Sequence, residues 1–143
     1  MTDLSEAVRK KFDRPLFWQF ATQNGDGAIN VKPMWIALDG ETILITTKQG
    51  CRKHRNVLAE PRITLALIEP DNPYERVEIR GLVEEIVEGP VAEDTLDAMA
   101  RVYLGTPGYP WRKAGERHVM FRITPVLVIH HIDDDDPDTP VVA

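Results

Sequence analysis

The chain has 143 residues, 43% of them hydrophobic, and a formal net charge of −6. That length suits one domain with a real core, and the acidic balance argues against a broad nucleic-acid-binding face. No apolar run approaches membrane-span length, the first residues lack a signal-peptide pattern, and the single Cys51 excludes an intrachain disulfide. Together these predict a cytoplasmic protein with neither a membrane nor a nucleic acid as partner.

Residues 4–12 read as a helix, with Leu4, Ala7, Val8 and Phe12 on one side. Residues 16–22 form a first strand entered from Pro15, and Asn24-Gly25-Asp26-Gly27 is a strong hairpin signal. Residues 28–38 read as one partner strand, in which Pro33 demands an edge, a bulge or a gap in the ladder. Asp39-Gly40 turns the chain into a strand over 42–47, which Gln49-Gly50 ends. Residues 51–60 have helical composition, stopped by Pro61. A strand over 62–69 follows, with Ile63, Leu65 and Leu67 alternating with Thr64, Ala66 and Ile68.

Residues 70–74 are a loop by composition, and 75–87 a long strand in which Gly81 permits a bend or bulge. Val91, Thr95, Leu96, Met99, Val102 and Tyr103 follow helical spacing over 91–104, with Gly105 as the stop. Residues 105–115 are too rich in Gly and Pro for regular structure and carry Tyr109, Trp111, Arg112 and Lys113. Two last strands, 117–123 and 126–132, are separated by Thr124-Pro125, and 133–143 form an acidic tail predicted to be disordered. Residues 1–132 are therefore expected to be a single, mainly β domain. Six or seven strands, joined mostly by hairpins, would close into a small antiparallel barrel with peripheral helices, because closure removes exposed edges.

The stretch from Lys48 to Arg62 departs from the rest of the chain. It holds five bases (Lys48, Arg52, Lys53, Arg55 and Arg62) against one acid, Glu60, inside an acidic protein. Thr46 and Thr47 lie just before it and a helix start lies within it. Hydroxyls, free helix-terminal N–H groups and cations together make an anion site, most naturally for phosphate. The same pattern also describes a solvated helix face. Other chemistries have little support. His130 and His131 are adjacent on a strand and point to opposite faces, no Cys/His/Asp/Glu set has zinc spacing, and Ser5 is the only serine.

The order Val31-x-Pro33-Met34-Trp35, Thr46-Thr47, Lys53-x-Arg55-Asn56-x-x-x-x-Pro61-Arg62 and Arg76-Val77-Glu78-Ile79-Arg80-Gly81 resembles the pyridoxamine 5'-phosphate oxidase-like split β-barrel superfamily. Within it, the chain is most similar to the branch that uses the deazaflavin coenzyme F-420 in place of FMN. The resemblance covers residues 16–132 and implies a split β-barrel, FMN-binding-like in fold, that forms a homodimer with two cofactor sites between the subunits. It implies that Thr46, Thr47, Lys53, Arg55 and Asn56 hold the cofactor phosphate, with Arg52 beside them, and that Pro33, Met34 and Trp35 line the ring. Tyr74 follows a loop that reaches the neighbouring subunit's site in the family. Tyr109 and Trp111 form a lid or substrate wall, or else anchor their loop on the barrel.

The activity implied is hydride transfer from reduced F-420 to a conjugated small molecule such as an enone, quinone or tetrapyrrole, with no dedicated acid–base residue. One alternative is an FMN-binding oxidase. The Arg-containing terminal motif such oxidases use for substrate has no counterpart after Ile132. The other is a non-catalytic flavin or haem carrier, with His130 the candidate haem ligand.

Overall fold

Two kinds of burial pattern set the architecture. Strands that alternate strictly have one face in the core and one in solvent, whereas a strand buried throughout is covered on both faces. β1 (Trp18–Gln23) and β5 (Arg62–Ile68) are of the first kind, and β4 (Thr42–Lys48), buried from Ile43 to Thr47, is of the second. With β2 (Ile29–Met34), β3 (Ala37–Asp39), β6 (Arg76–Glu88) and β7 (His118–His131) they form one antiparallel sheet of seven strands, in the order β2-β1-β5-β6-β7-β4-β3. Three helices accompany it: α1 (Glu6–Phe12), α2 (Arg52–Ala59) and α3 (Pro90–Leu104). The computed structural model describes residues 3–132, so the predicted tail at 133–143 lies outside the described residues.

The sheet wraps a core in which Trp18, Phe20, Ile43, Ile45, Leu65, Ile79, Phe121 and Ile123 are fully buried. Each such side chain contributes about 1.5–3 kcal/mol of transfer free energy. α1, capped by the Ser5 hydroxyl accepting from the Val8 N–H, closes one end of this core by stacking Phe12 on Trp18 at 4.7 Å. It is also tied down by charge. Lys11 Nζ lies 2.9 Å from both Glu69 and Glu75, Arg14 pairs with Glu69, and Glu75 holds His130 Nε2 at 2.9 Å. Hydrogen bonding from Arg14, opposed by burial and helped by Lys11, holds the Glu69 carboxyl at about 2. His130 is thus engaged by a carboxylate.

α3 covers the other face of β4. Its Ala92 and Met99 pack on Leu44 and Met120 in a second, smaller apolar cluster that Trp35 and Val87 flank. This explains why β4 shows no polar alternation. No helix among the described residues is long and apolar enough to cross a membrane.

The structure corrects two sequence expectations. The strand expected over 28–38 is two strands. β2 pairs with β1, ending at Met34 opposite Trp18, and β3 pairs with β4 at the far end of the sheet order. Pro33 has no N–H to give, and three residues later the Ile36 N–H leaves the ladder to donate to the Tyr103 hydroxyl at 3.1 Å. The converse holds at Pro125, where two expected strands are one continuous β7. A register shift absorbs the proline. Arg80 lies opposite Leu127 and Gly81 opposite Pro125, so the register shifts by one residue there. Gly81 is required there, because a Cβ would lie 2.7 Å from Ile123 Cγ2.

Candidate functional site

The site is assembled where the β2–β3 break, the β4–α2 turn and the loop after α3 converge. β4 delivers Thr46, Thr47 and Lys48, and the chain then turns through Gly50, whose φ of 80° suits glycine. The turn is pinned by the Gly50 N–H donating to His54 Nδ1 at 2.9 Å. Cys51 is the N-cap of α2, and no side chain caps that helix end. The first turn of α2 holds no acid, so the partial positive charge of the helix start adds to Lys53 without a protein carboxylate there to offset it. Among the described residues, the two threonine hydroxyls meet only sulfur. Thr46 Oγ1 lies 3.7 Å from Met99 Sδ and Thr47 Oγ1 lies 3.2 Å from Cys51 Sγ. Sulfur is a weak partner, so an anion would compete well for these hydroxyls.

The opposite wall is aromatic. Trp35 stacks on Tyr103 at 5.2 Å and meets Tyr109 and Trp111 at 6.1 and 6.4 Å. Tyr103 sets the position of Trp35 by bridging two backbone segments, its hydroxyl accepting from the Ile36 N–H and donating to the Leu16 carbonyl at 2.6 Å. Burial pushes that phenol up to about 12, so it stays a neutral donor. Tyr109 leans edge-on against His118 at 5.6 Å. The His118 ring is buried, with Nδ1 3.0 Å from Glu93 and Nε2 3.1 Å from Glu116.

Between these walls lies an open cavity of about 440 Å³, within the usual range for a small-molecule site. Eight residues singled out from sequence line it: Pro33, Met34, Trp35, Thr46, Thr47, Lys53, Tyr109 and Trp111. Four others do not. Arg52 and Arg55 are exposed on α2, and Tyr74 is exposed on the β5–β6 loop. Asn56 is 4% exposed and is turned to a structural bond, its Nδ2 donating to Thr22 Oγ1 at 3.0 Å and Asn24 Oδ1 at 2.8 Å. That clamp ties α2 to the β1–β2 hairpin. Phe17, Cys51, Leu96 and His118, not singled out from sequence, also line the cavity, as does Lys48 of the basic stretch. Lys48 and Cys51 flank residues already singled out, so adjacency was their signal. For His118 the sequence held no signal, since its partner on α3, Glu93, is distant in sequence.

The profile of the pyridoxamine 5'-phosphate oxidase family matches residues 4–131. Among solved structures, one described as an F-420 reductase is 31% identical with a TM-score of 0.71, over 87% of this chain and 98% of that one. A conserved hypothetical protein, Rv2991 from Mycobacterium tuberculosis, is 22% identical with a TM-score of 0.70, over 96% of each chain. General Stress Protein 26 from Bacillus anthracis is 16% identical with a TM-score of 0.60, over 88% of this chain and 89% of that one; these last two speak to the fold alone. No curated protein matches the chain. The profile spans nearly all of the described residues and the same split-barrel arrangement recurs in these structures, so the chain belongs to the pyridoxamine 5'-phosphate oxidase family.

Proposed function

We propose that this protein is an oxidoreductase that binds coenzyme F-420 and reduces a conjugated small-molecule acceptor. The observation that carries the reading is the meeting, in one cavity, of Lys53, Thr46 and Thr47 at the start of α2 with the Pro33–Trp35 segment and an aromatic wall. A phosphorylated tricycle needs both ends. Its phosphate needs cations, hydroxyls and a helix start. Its flat ring needs apolar faces and a backbone edge with spare hydrogen-bonding groups. β2 ends the sheet order, so its second edge has no sheet partner among the described residues, and Pro33 and Met34 lie on that strand.

In this reading Lys53 and Thr47 anchor the phosphate, with Thr46 behind them and Lys48 beside them. Pro33, Met34 and Trp35 position the ring. When bound in reduced form, F-420 supplies a hydride from C5. The chain's part is to hold the acceptor against the ring face with Tyr109 and Trp111, and to keep water away through Leu96 and Phe17. Solvent can protonate the reduced product, so no acid residue is required. FMN carries a phosphate at the same place and is the alternative cofactor. F-420 is favoured by the 31%-identical structure described as an F-420 reductase and by Lys48, an extra cation at the cavity for a more anionic cofactor.

The protein acts as a cytoplasmic homodimer in this reading, with a partner subunit closing the open side of each site. The exposure of Phe17, Ile29, Val31, Ile68 and Tyr74, all half or more accessible, supports an interface of that kind. Arg76, two residues after Tyr74 at the start of β6, would then reach toward the partner's cavity.

The test is a fluorescence titration of purified protein with F-420 and with FMN, followed by turnover of an enone and a quinone with reduced F-420. Tighter binding of F-420 and oxidation of the reduced cofactor by an acceptor are expected. Tight retention of FMN with no F-420 binding would move the protein to the oxidase reading, and F-420 binding without turnover would make it a carrier.

A further inference from the structure

Tyr109 and Trp111 of the aromatic wall sit on a loop with no regular structure, yet an ionic latch holds it. Arg112 extends back to α3, its Nε 3.0 Å from Glu93 Oε1 and its Nη2 3.1 Å from Asp97 Oδ1. The same Asp97 oxygen accepts the Tyr109 backbone N–H at 2.8 Å. Asp97 approaches so closely that a Cβ on Gly108 would lie 3.1 Å from Oδ1, which explains a glycine just before Tyr109. The Arg112 guanidinium lies 5.8 Å from the Tyr109 ring centroid. Glu93 also accepts the His118 backbone N–H at 2.7 Å and contacts His118 Nδ1. The latch is therefore continuous from α3, through Arg112 and the loop, to the buried histidine at the cavity wall.

Asp97 is held below the usual carboxylate range, first by the Tyr109 N–H and then, against burial, by Arg112. For Glu93 burial pushes upward, but the His118 contacts and Arg112 outweigh it and the net shift is downward. Both carboxylates thus stay charged near neutrality.

We propose that Arg112, bridging Glu93 and Asp97, is a positioning residue that sets Tyr109 and Trp111 against Trp35 and thereby selects flat, conjugated acceptors that stack on this wall. It touches neither cofactor nor acceptor and acts through the two aromatic rings. The planar fork of arginine is needed, because it bonds two carboxylates on successive turns of α3 at once while keeping a flat face toward Tyr109. A lysine at 112 keeps the charge but presents a single point donor.

The acceptor half of this inference rests on the reading above, and the latch half does not. The test compares wild type with Arg112→Ala, Arg112→Lys and Asp97→Asn in two assays. The first is chymotrypsin cleavage after Trp111 under native conditions, each rate divided by that of the same variant unfolded in urea because residue 112 follows the cleaved bond, which reads the loop with no assumption about function. Cleavage is expected to be roughly tenfold faster in Arg112→Ala and Asp97→Asn, with only partial recovery in Arg112→Lys. The second is turnover of a planar quinone with reduced F-420. KM should rise about tenfold in Arg112→Ala with kcat within about threefold, the mark of lost uniform binding, and F-420 Kd should stay within about twofold. Cleavage and KM at wild-type values would overturn the proposal, as would full rescue by lysine or a Kd that rises as far as KM. If wild-type protein does not bind F-420, the functional reading fails while the cleavage assay still decides the latch.

Discussion

Lys53 and Arg55 stand two residues apart on α2, yet only Lys53 lines the cavity. Lys53→Ala should weaken cofactor binding by about 1–3 kcal/mol, as for other lost charge-assisted contacts. Arg55→Ala should cost less than about 0.5 kcal/mol. Fluorescence titration of both variants checks the contrast, and equal losses would refute the placement of α2. Glu69 allows a second prediction at this scale. Its folded value near 2 lies below the ordinary 4.5, so its contribution is complete above about pH 4.5 and is lost as pH falls toward 2. That contribution is on the order of 1–3 kcal/mol. Urea unfolding at pH 6 and pH 3 should show Glu69→Gln destabilised at pH 6 and less sensitive to acid than wild type. Among single residues, the cation-and-hydroxyl cluster was legible because its charge broke with the rest of the chain. The clamp made by Asn56 was not legible, because its partners, Thr22 and Asn24, are distant in sequence. The role of His118 was invisible for the same reason.

At the scale of elements, the break between β2 and β3 brings Pro33, Met34 and Trp35 to the cavity, and the Tyr103 hydroxyl of α3 pins that break. Tyr103→Phe should leave the Ile36 N–H and the Leu16 carbonyl unpaired, costing about 1–3 kcal/mol of stability. It should also loosen Trp35 and weaken cofactor binding, unlike a purely global loss. Denaturant unfolding and titration of the same variant separate the two effects; unchanged stability would mean the hydroxyl bridge carries nothing. Pro33 announced an interruption in sequence, but not whether the chain would bulge or change partners, because that choice depends on Tyr103, 70 residues downstream. The opposite error at Thr124-Pro125 has the same source. A proline in a strand is tolerated when its neighbour can shift register, and only Gly81 on β6 makes room.

For the molecule as a whole, hydrophobic alternation and turn chemistry made the strands and the barrel class legible, and the spacing of short motifs made the family legible. The order of strands was less so. β4 and β5 follow each other through α2 yet lie apart in the sheet, and β6 reaches its neighbour β7 only through α3. Those crossings bring the start of α2, the end of β2 and the loop after α3 to one cavity, although they are spread from Pro33 to His118. The account therefore rests on that convergence being a cofactor site. The most direct measurement is a crystal structure of the protein soaked with F-420. The account predicts the phosphate within hydrogen-bonding distance of Thr47 and Lys53, with the tricycle along Pro33 to Trp35. A tricycle bound elsewhere, with Lys53 in bulk solvent, would contradict it.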